Sequence, residues 1–365
     1  MSDHEEAATS QGRNGKGQPR RRRALRWARR GALALALAVL LSATAIGVSL
    51  RLEYAGDPDA AGLTRGRDAV WLGHAWVDGR RDAADLAALV HRVQGTGIHD
   101  LYVHTGPLAH DGSLDASLYP DATWLVREVH RALPGVRVQA WLGDIVSWGS
   151  PRTESGGGSP GLRLDDAATR SRIGASAAQA LDVGFDGVHF DLEPMYSGDQ
   201  GFLDLLDATH RVTAARGAPL SVATHQIDPL PGLHSPSGAL FNHPKWWTQK
   251  YFGQVARRVD QVAVMAYDTA MPLESLYGGY VAQQTALALE VTPPGTDLLI
   301  GLPAYHEDTM GHHADAETVT AAVRGARLGL ARHDAGREGF GLALYVDFTA
   351  TEEDWAAYRS SWGKT

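Results

Sequence analysis

The chain has 365 residues, 44% hydrophobic and 21% charged, an ordinary globular composition with room for one large domain or two small ones. It contains no cysteine, which excludes disulfides, thiolate metal sites and a cysteine nucleophile and leaves the compartment open. The net charge of −8 is uneven: nine Lys and Arg against three acids give residues 1–30 a surplus of +6, which leaves −14 on the remainder, a body too acidic to favour nucleic acid.

Residues 1–19 are polar and without apolar periodicity, and Arg20 to Arg30 form a basic cluster. Residues 1–30 therefore read as a disordered basic tail. Gly31 to Leu50 is a run of twenty residues without a charge, long enough to cross a bilayer as a helix. Basic residues before it place the tail in the cytoplasm and the body outside. The rival is a signal peptide cleaved near Ala43-Thr44-Ala45, which would release the body. Residues 51–68 read as a linker.

From residue 69 to 365 one pattern repeats. Strand candidates are Val70 to Val77, Ile98 to Thr105, Val136 to Ile145, Phe185 to Pro194, Leu220 to Gln226, Val259 to Tyr267, Leu298 to Tyr305 and Phe340 to Phe348. Between and after them lie helical spacings at Asp82 to Val93, Ala122 to Leu133, Asp165 to Leu181, Asp199 to Arg216, Trp246 to Arg258, Tyr280 to Glu290, Glu317 to Arg332 and Glu352 to Ser360. Asp165 is the expected N-cap of its helix. Ser147 to Gly161 is a long loop rich in Ser, Gly and Pro. Eight strands alternating with eight helices predict an α/β fold, a (β/α)8 barrel, with the active site at the C-terminal ends of the strands. A doubly wound open sheet is the competitor, but no Gly-rich phosphate loop follows the first strand.

The fourth strand carries the chemistry. Val188, Phe190 and Leu192 share one parity, and His189, Asp191 and Glu193 share the other. Asp191 and Glu193 stand one strand repeat apart, roughly 6–7 Å. Two carboxylates that close raise each other's pKa and can keep one protonated near neutral pH, as a general acid requires. Pro194 ends the pairing there.

The segment Asp186-Gly187-Val188-His189-Phe190-Asp191-Leu192-Glu193 resembles the D-G-x-x-x-D-x-E signature of glycoside hydrolase family 18, the chitinase-like family. Met265-Ala266-Tyr267-Asp268 resembles that family's M-x-Y-D motif, and Gly301-Leu302-Pro303-Ala304-Tyr305 its G-L-P-x-Y segment. The resemblance implies a retaining, substrate-assisted glycosidase acting on β-linked GlcNAc-containing glycans, chitin-like or peptidoglycan, without a cofactor. It implies Glu193 as the acid, with Asp191 and Tyr267 assisting the substrate's acetamido group. Asp186, His189, Asp268, Tyr305, Tyr345 and Trp141 become the candidates for binding substrate.

Three departures from the pattern qualify this. His189 stands where the family usually has an acid or amide bonded to Asp191, and an imidazole could donate to Asp191 instead. The third strand has Trp141-Leu142-Gly143-Asp144 in place of an S-x-G-G segment. The eighth strand offers Tyr345 where a Trp floor is usual. A glycan-binding barrel without catalysis, or a glycosidase indifferent to the acetamido group, are the alternatives. His74, His104, His225 and His306 fall near strand ends with Asp144 and Asp347, but no H-x-H or H-E-x-x-H spacing supports a metal. Trp148 is a candidate loop platform for sugar rings.

Overall fold

A computed structural model describes residues 18–58, 63–147, 161–233 and 244–363. The chain divides into a unit over Met1–Ser49 and a second over Leu50–Thr365. The first unit's described part belongs to helix α1 (Gln18–Glu53), whose segment from Arg26 is long and apolar enough to cross a membrane. Leu33, Leu35, Leu37 and Leu41 are exposed along it. Residues 18–30, expected in the disordered tail, are helical, because Arg, Ala and Leu are all good helix formers. Residues 1–17 lie outside the described residues, as do Trp148 and most of the Ser147 to Gly161 loop.

The second unit is a closed parallel barrel. Its strands are β1 (Asp68–Leu72), β2 (Ile98–Pro107), β3 (Arg137–Ile145), β4 (Gly187–Glu193), β5 (Leu220–Thr224), β8 (Gln261–Val264), β9 (Asp297–Pro303) and β10 (Phe340–Tyr345). The order around the barrel is β1-β10-β9-β8-β5-β4-β3-β2, so neighbours in sequence are neighbours in space and β1 closes on β10. Two short strands, β6 (Gln226–Ile227) and β7 (Trp246–Trp247), pair outside the barrel. Trp246 and Trp247 thus form a ribbon where a helix start was expected. The helix follows them, capped by Thr248.

The helices are α2 (Ala83–Val93), α3 (Ala122–Ala132), α4 (Ala167–Val183), α5 (Gln200–Ala214), α6 (Gln249–Ala256), α7 (Glu274–Val291), α8 (Val319–His333) and α9 (Glu352–Ser361). Each follows a barrel strand, as the alternation predicts. Side-chain caps set many of their starts: Asp82 and Asp85 form a capping box on α2, and Thr351 and Asp354 form one on α9. Asp166 caps α4, accepting from the amides of Ala168 and Thr169. Asp165, the expected cap, pairs with Arg163 instead. The first strand ends at Leu72, and His74–Trp76 turn into a short 3-10 helix, because Asp347 accepts from the Gly73 amide and the Trp76 indole and draws the chain over the barrel's rim.

The core has two parts. Outward-facing strand residues such as Val188, Phe190 and Leu192 pack against the helices in one large apolar cluster. Inside the barrel lie Trp71, Tyr102, Trp141, Ala223 and Ala263. Among them runs a polar network. Trp71 Nε1 donates to His189 Nε2 (3.0 Å), so His189 carries its proton on Nδ1 and donates it to Ser221 Oγ (2.7 Å). Ser221 donates to Gln139 Oε1, and Gln139 donates to Asp100, which Arg137 grips with two bonds of 2.7 and 2.8 Å. Burial alone would raise the Asp100 carboxyl, but the bonds from His99, Arg137 and Gln139 hold it well below the usual carboxylate range.

Candidate active site

The inward parity of β4 delivers Asp191 and Glu193 to the C-terminal mouth of the barrel. They line a cavity of about 440 Å³ together with Tyr267 and Asp268 beyond β8, Tyr345 at the end of β10, and His225 and Gln226 beyond β5. Catalytic groups in such barrels come from the ends of several strands, and this cavity gathers four of them.

The register explains what lies beside Asp191. Trp141 pairs with His189 and Gly143 with Asp191 across β3 and β4. A Cβ at Gly143 would lie 3.1 Å from the Asp191 carbonyl and 3.6 Å from Trp141 Nε1, so the glycine leaves the indole room to lean across. Trp141 Nε1 donates to Asp191 Oδ2 (3.1 Å). The other oxygen, Oδ1, is buried and accepts no hydrogen bond among the described residues. Burial pushes the Asp191 carboxyl up, against the opposing pull of the Trp141 bond.

Glu193 lines the same cavity, its side chain 43% exposed. Its carboxyl is pushed well above the usual range by burial first, then by the negative charges of Asp191 and Asp268. The Met195 amide donates to His225 Nε2 (3.0 Å), so a neutral His225 presents Nδ1–H toward Glu193 Oε1, 3.8 Å away. The pair Asp191 and Glu193 therefore favours holding one proton at pH values where separate carboxyls would hold none.

Tyrosines wall the opposite side. Tyr267 stacks on Tyr345 with centroids 5.2 Å apart and meets Tyr305 edge-on at 6.0 Å. The Tyr267 hydroxyl makes no hydrogen bond to any described residue, and burial keeps it protonated by raising its pKa far above 10. Gly301 makes this placement possible: a Cβ there would come within 2.9 Å of the Tyr267 ring and 2.8 Å of the Val264 carbonyl. Asp268 sits at φ 55°, a left-handed conformation unusual for a non-glycine residue, and accepts a 2.7 Å bond from the Tyr305 hydroxyl. Gln226 braces the same segment by donating to the Met265 and Tyr267 carbonyls.

Of the residues singled out in the sequence, Glu193, Asp191, Tyr267, Asp268 and Tyr345 meet in the cavity, with Tyr305 bonded to Asp268 at its edge. Trp141 is 8% exposed and acts on Asp191 through its indole N–H rather than as an open platform. Two expectations are corrected. His189 is fully buried and makes no bond to Asp191, because Trp71 and Ser221 already occupy its two nitrogens, and burial lowers its pKa to about 3, leaving it neutral. Asp186 lies at the opposite end of β4, where it accepts from the Val138 amide and pairs with His130 at 2.8 Å. It is an anchor of the strand's start and does not reach the cavity.

Lys245 lines the cavity and is absent from the sequence candidates, whereas His225, which also lines it, stands among the strand-end histidines that the sequence singles out. His225 follows β5 by one residue, a strand-end position that marks it. Lys245 precedes the β7 ribbon, and nothing in its local sequence signals its place. The other strand-end histidines have separate partners: His74 Nδ1 bonds the His104 carbonyl, and His306 pairs with Asp354. Among the described residues, no group of three or more His, Asp or Glu is arranged to hold a metal ion.

No family model matches the chain, and no curated protein matches it. Solved structures do. A chitinase from Chromobacterium violaceum ATCC 12472 superposes with a TM-score of 0.54 at 16% identity, over 80% of this chain and 98% of that one. The spore cortex-lytic enzyme SleL of Bacillus megaterium QM B1551 gives 0.57 at 12% identity, over 83% and 75%. A class V chitinase from Pseudomonas fluorescens Pf-5 gives 0.53 at 14% identity, over 80% and 98%. The second unit has the (β/α)8 fold that these glycan-cleaving proteins share.

Proposed function

We propose that the protein is a divergent member of glycoside hydrolase family 18, a retaining glycosidase that cleaves β-linked GlcNAc-containing glycans with the help of the substrate's own acetamido group. The observation that carries this reading is the open constellation at the cavity: a buried Asp191 Oδ1 and a Tyr267 hydroxyl that bond to no described residue, and a Glu193 carboxyl held above its usual pKa. Buried polar atoms without partners inside a cavity are matched to a ligand's polar atoms. An acetamido group offers one donor and one acceptor. Asp191 Oδ1 suits its N–H, and the Tyr267 hydroxyl suits its carbonyl oxygen.

In this mechanism Glu193 gives its proton to the glycosidic oxygen as that bond breaks. The acetamido carbonyl oxygen attacks the anomeric carbon, Asp191 stabilises the positive charge gathering on the nitrogen, and the Tyr267 hydroxyl holds the oxygen in line. Glu193, now ionised, takes a proton from water as water attacks the same carbon, and configuration is retained. This differs from the usual retaining pair, in which a carboxylate ~5–5.5 Å from the acid is the nucleophile. The fold shared with two chitinases and a cortex-lytic enzyme supports chitin-like or peptidoglycan substrates. The apolar segment of α1 and the basic residues at the helix's start support a membrane anchor with the barrel outside the cytoplasm, with release after signal cleavage as the other outcome.

The test uses the chain from residue 57 on fluorogenic chitooligosaccharides, their glucose counterparts and purified peptidoglycan, beside Glu193→Gln. Release from the acetamido substrates by the wild type, loss of several orders of magnitude in the variant, and glycan binding kept by both are expected. Near-normal turnover by Glu193→Gln overturns the assignment of the acid. Equal turnover of the glucose counterparts overturns the acetamido mechanism, and binding without release turns the reading toward a glycan-binding barrel.

A further inference from the structure

Lys245 contributes an ammonium group to a cavity whose acidic lining is Asp191, Glu193 and Asp268. Its place is fixed. The β7 ribbon begins one residue later, where Trp246 pairs with Gln226 and its indole donates to the Tyr280 hydroxyl (2.7 Å). Lys245 is half-buried and forms no ion pair with any described residue; its ammonium lies 5.8 Å from the centroid of the Trp246 ring. A ring face holds an ammonium without neutralising it. Burial lowers its pKa, and the charges of Glu317 and Asp268 act the other way. A partly desolvated charge left unpaired in a ligand cavity costs stability that an anionic ligand group returns.

We propose that Lys245 recognises a carboxylate carried by a sugar of the glycan, so that the preferred substrate is an acidic amino-sugar polymer rather than neutral chitin. This rests on the reading of the cavity as a glycan site. The rest of the surface makes such a local cation necessary. A body with a net charge of −14 repels an acidic polymer, and the negative charge that the Asp191–Glu193 pair and Asp268 place in the cavity adds to that repulsion. An ammonium on a long stem is a compact point charge that seeks a carboxylate oxygen without demanding one fixed geometry. The lactyl ether of an N-acetylmuramic acid and a uronic acid both present such a group, and the probes separate them.

The experiment measures binding by calorimetry to Glu193→Gln and to Glu193→Gln/Lys245→Met. Four tetrasaccharides are used: chitotetraose, an alternating N-acetylglucosamine and N-acetylmuramic acid chain, the same chain with its carboxyls reduced to alcohols, and one alternating N-acetylglucosamine with glucuronate. The expected result is that Lys245→Met lowers the ratio of acidic to neutral affinity by about 10-fold or more, the size of one charge-assisted bond. Lys245→Arg restores part of the ratio. Loss with the muramic chain alone assigns the lactyl carboxylate, and loss with both acidic chains assigns a general carboxylate site. An unchanged ratio, or no binding of either acidic chain, overturns the proposal. Charge-dependent binding by a wild type that hydrolyses none of the four would sink the glycosidase reading and leave the recognition standing. Hydrolysis with charge-blind binding would do the reverse.

Discussion

Two polar regions lie one above the other on the inward face of β4, and they are finished in opposite ways. At the level of His189 every nitrogen and oxygen has a partner, in a chain running from Trp71 through Ser221 and Gln139 to Asp100 and Arg137. At Asp191 and Glu193, two and four residues further on, one carboxylate oxygen and a nearby phenol have none among the described residues, and both carboxyls are pushed up in pKa. His189 is fully buried, and Asp191 and Glu193 are half-buried at the mouth. What differs further is satisfaction: a closed network specifies a packed interior, whereas an open one stores affinity for a ligand. The lower region is therefore a closed part of the packed interior, and the upper region is open to a ligand in the cavity.

Exchanging the effects of the two regions would break this comparison. The largest expected effect is on turnover. Asp191→Asn and Tyr267→Phe should each lower kcat by about 10²-fold or more while the unfolding midpoint in urea stays close to wild type, since the Tyr267 hydroxyl has no partner in the fold to lose. A stability loss without an activity loss in Tyr267→Phe would place that residue with the floor. In the lower region the signs reverse. Ser221→Ala strands the His189 Nδ1–H and the Gln139 carbonyl oxygen, so urea unfolding should show a loss of about 2–4 kcal/mol, with specific activity of the folded fraction largely kept.

Gly301→Ala sharpens the boundary between them. Its Cβ would press on the Val264 carbonyl and the Tyr267 ring, so about 1–3 kcal/mol of stability and part of the activity should go together. The smallest effect belongs to Asp186→Asn at the far end of β4. It weakens the pair with His130 and the bond from the Val138 amide, an expected loss near 1 kcal/mol with KM and kcat unchanged.

Most of the barrel was legible because each strand and helix announces itself locally. Period-2 and period-3.6 runs alternate eight times, and parity along β4 separates Val188, Phe190 and Leu192 from His189, Asp191 and Glu193. Depth was not legible. His189 and Asp191 share a parity, and only the closed barrel shows that one lies among Trp71, Tyr102 and Ser221 while the other opens on the cavity. Asp186 belongs to the same motif but stands at the strand's entry, so spacing along a sequence said nothing of which end of the barrel it would occupy. Trp141 is a candidate for substrate contact in the sequence because it stands on the third strand near the motif. Its register opposite His189, with Gly143 beside it, turned the N–H onto Asp191 instead. Lys245 could not be found at all from its neighbours, since its place depends on β7 pairing with β6, a contact between segments twenty residues apart.

The central claim is that burial and the paired charge of Asp191 keep Glu193 protonated where an isolated glutamic acid, with a pKa near ~4.3, would be ionised. The pH dependence of kcat/KM on a chitooligosaccharide, for wild type and Asp191→Asn, tests it most directly. Because the pKa of Glu193 is raised in the folded protein, its acid form persists upward in pH. Activity should be retained through neutrality and lost as pH climbs past the raised value. Removing the Asp191 charge should move that alkaline limb toward acid while the limb from burial and Asp268 remains partly raised. An alkaline limb at the ordinary glutamate value in the wild type, or one that does not move in Asp191→Asn, would contradict the account.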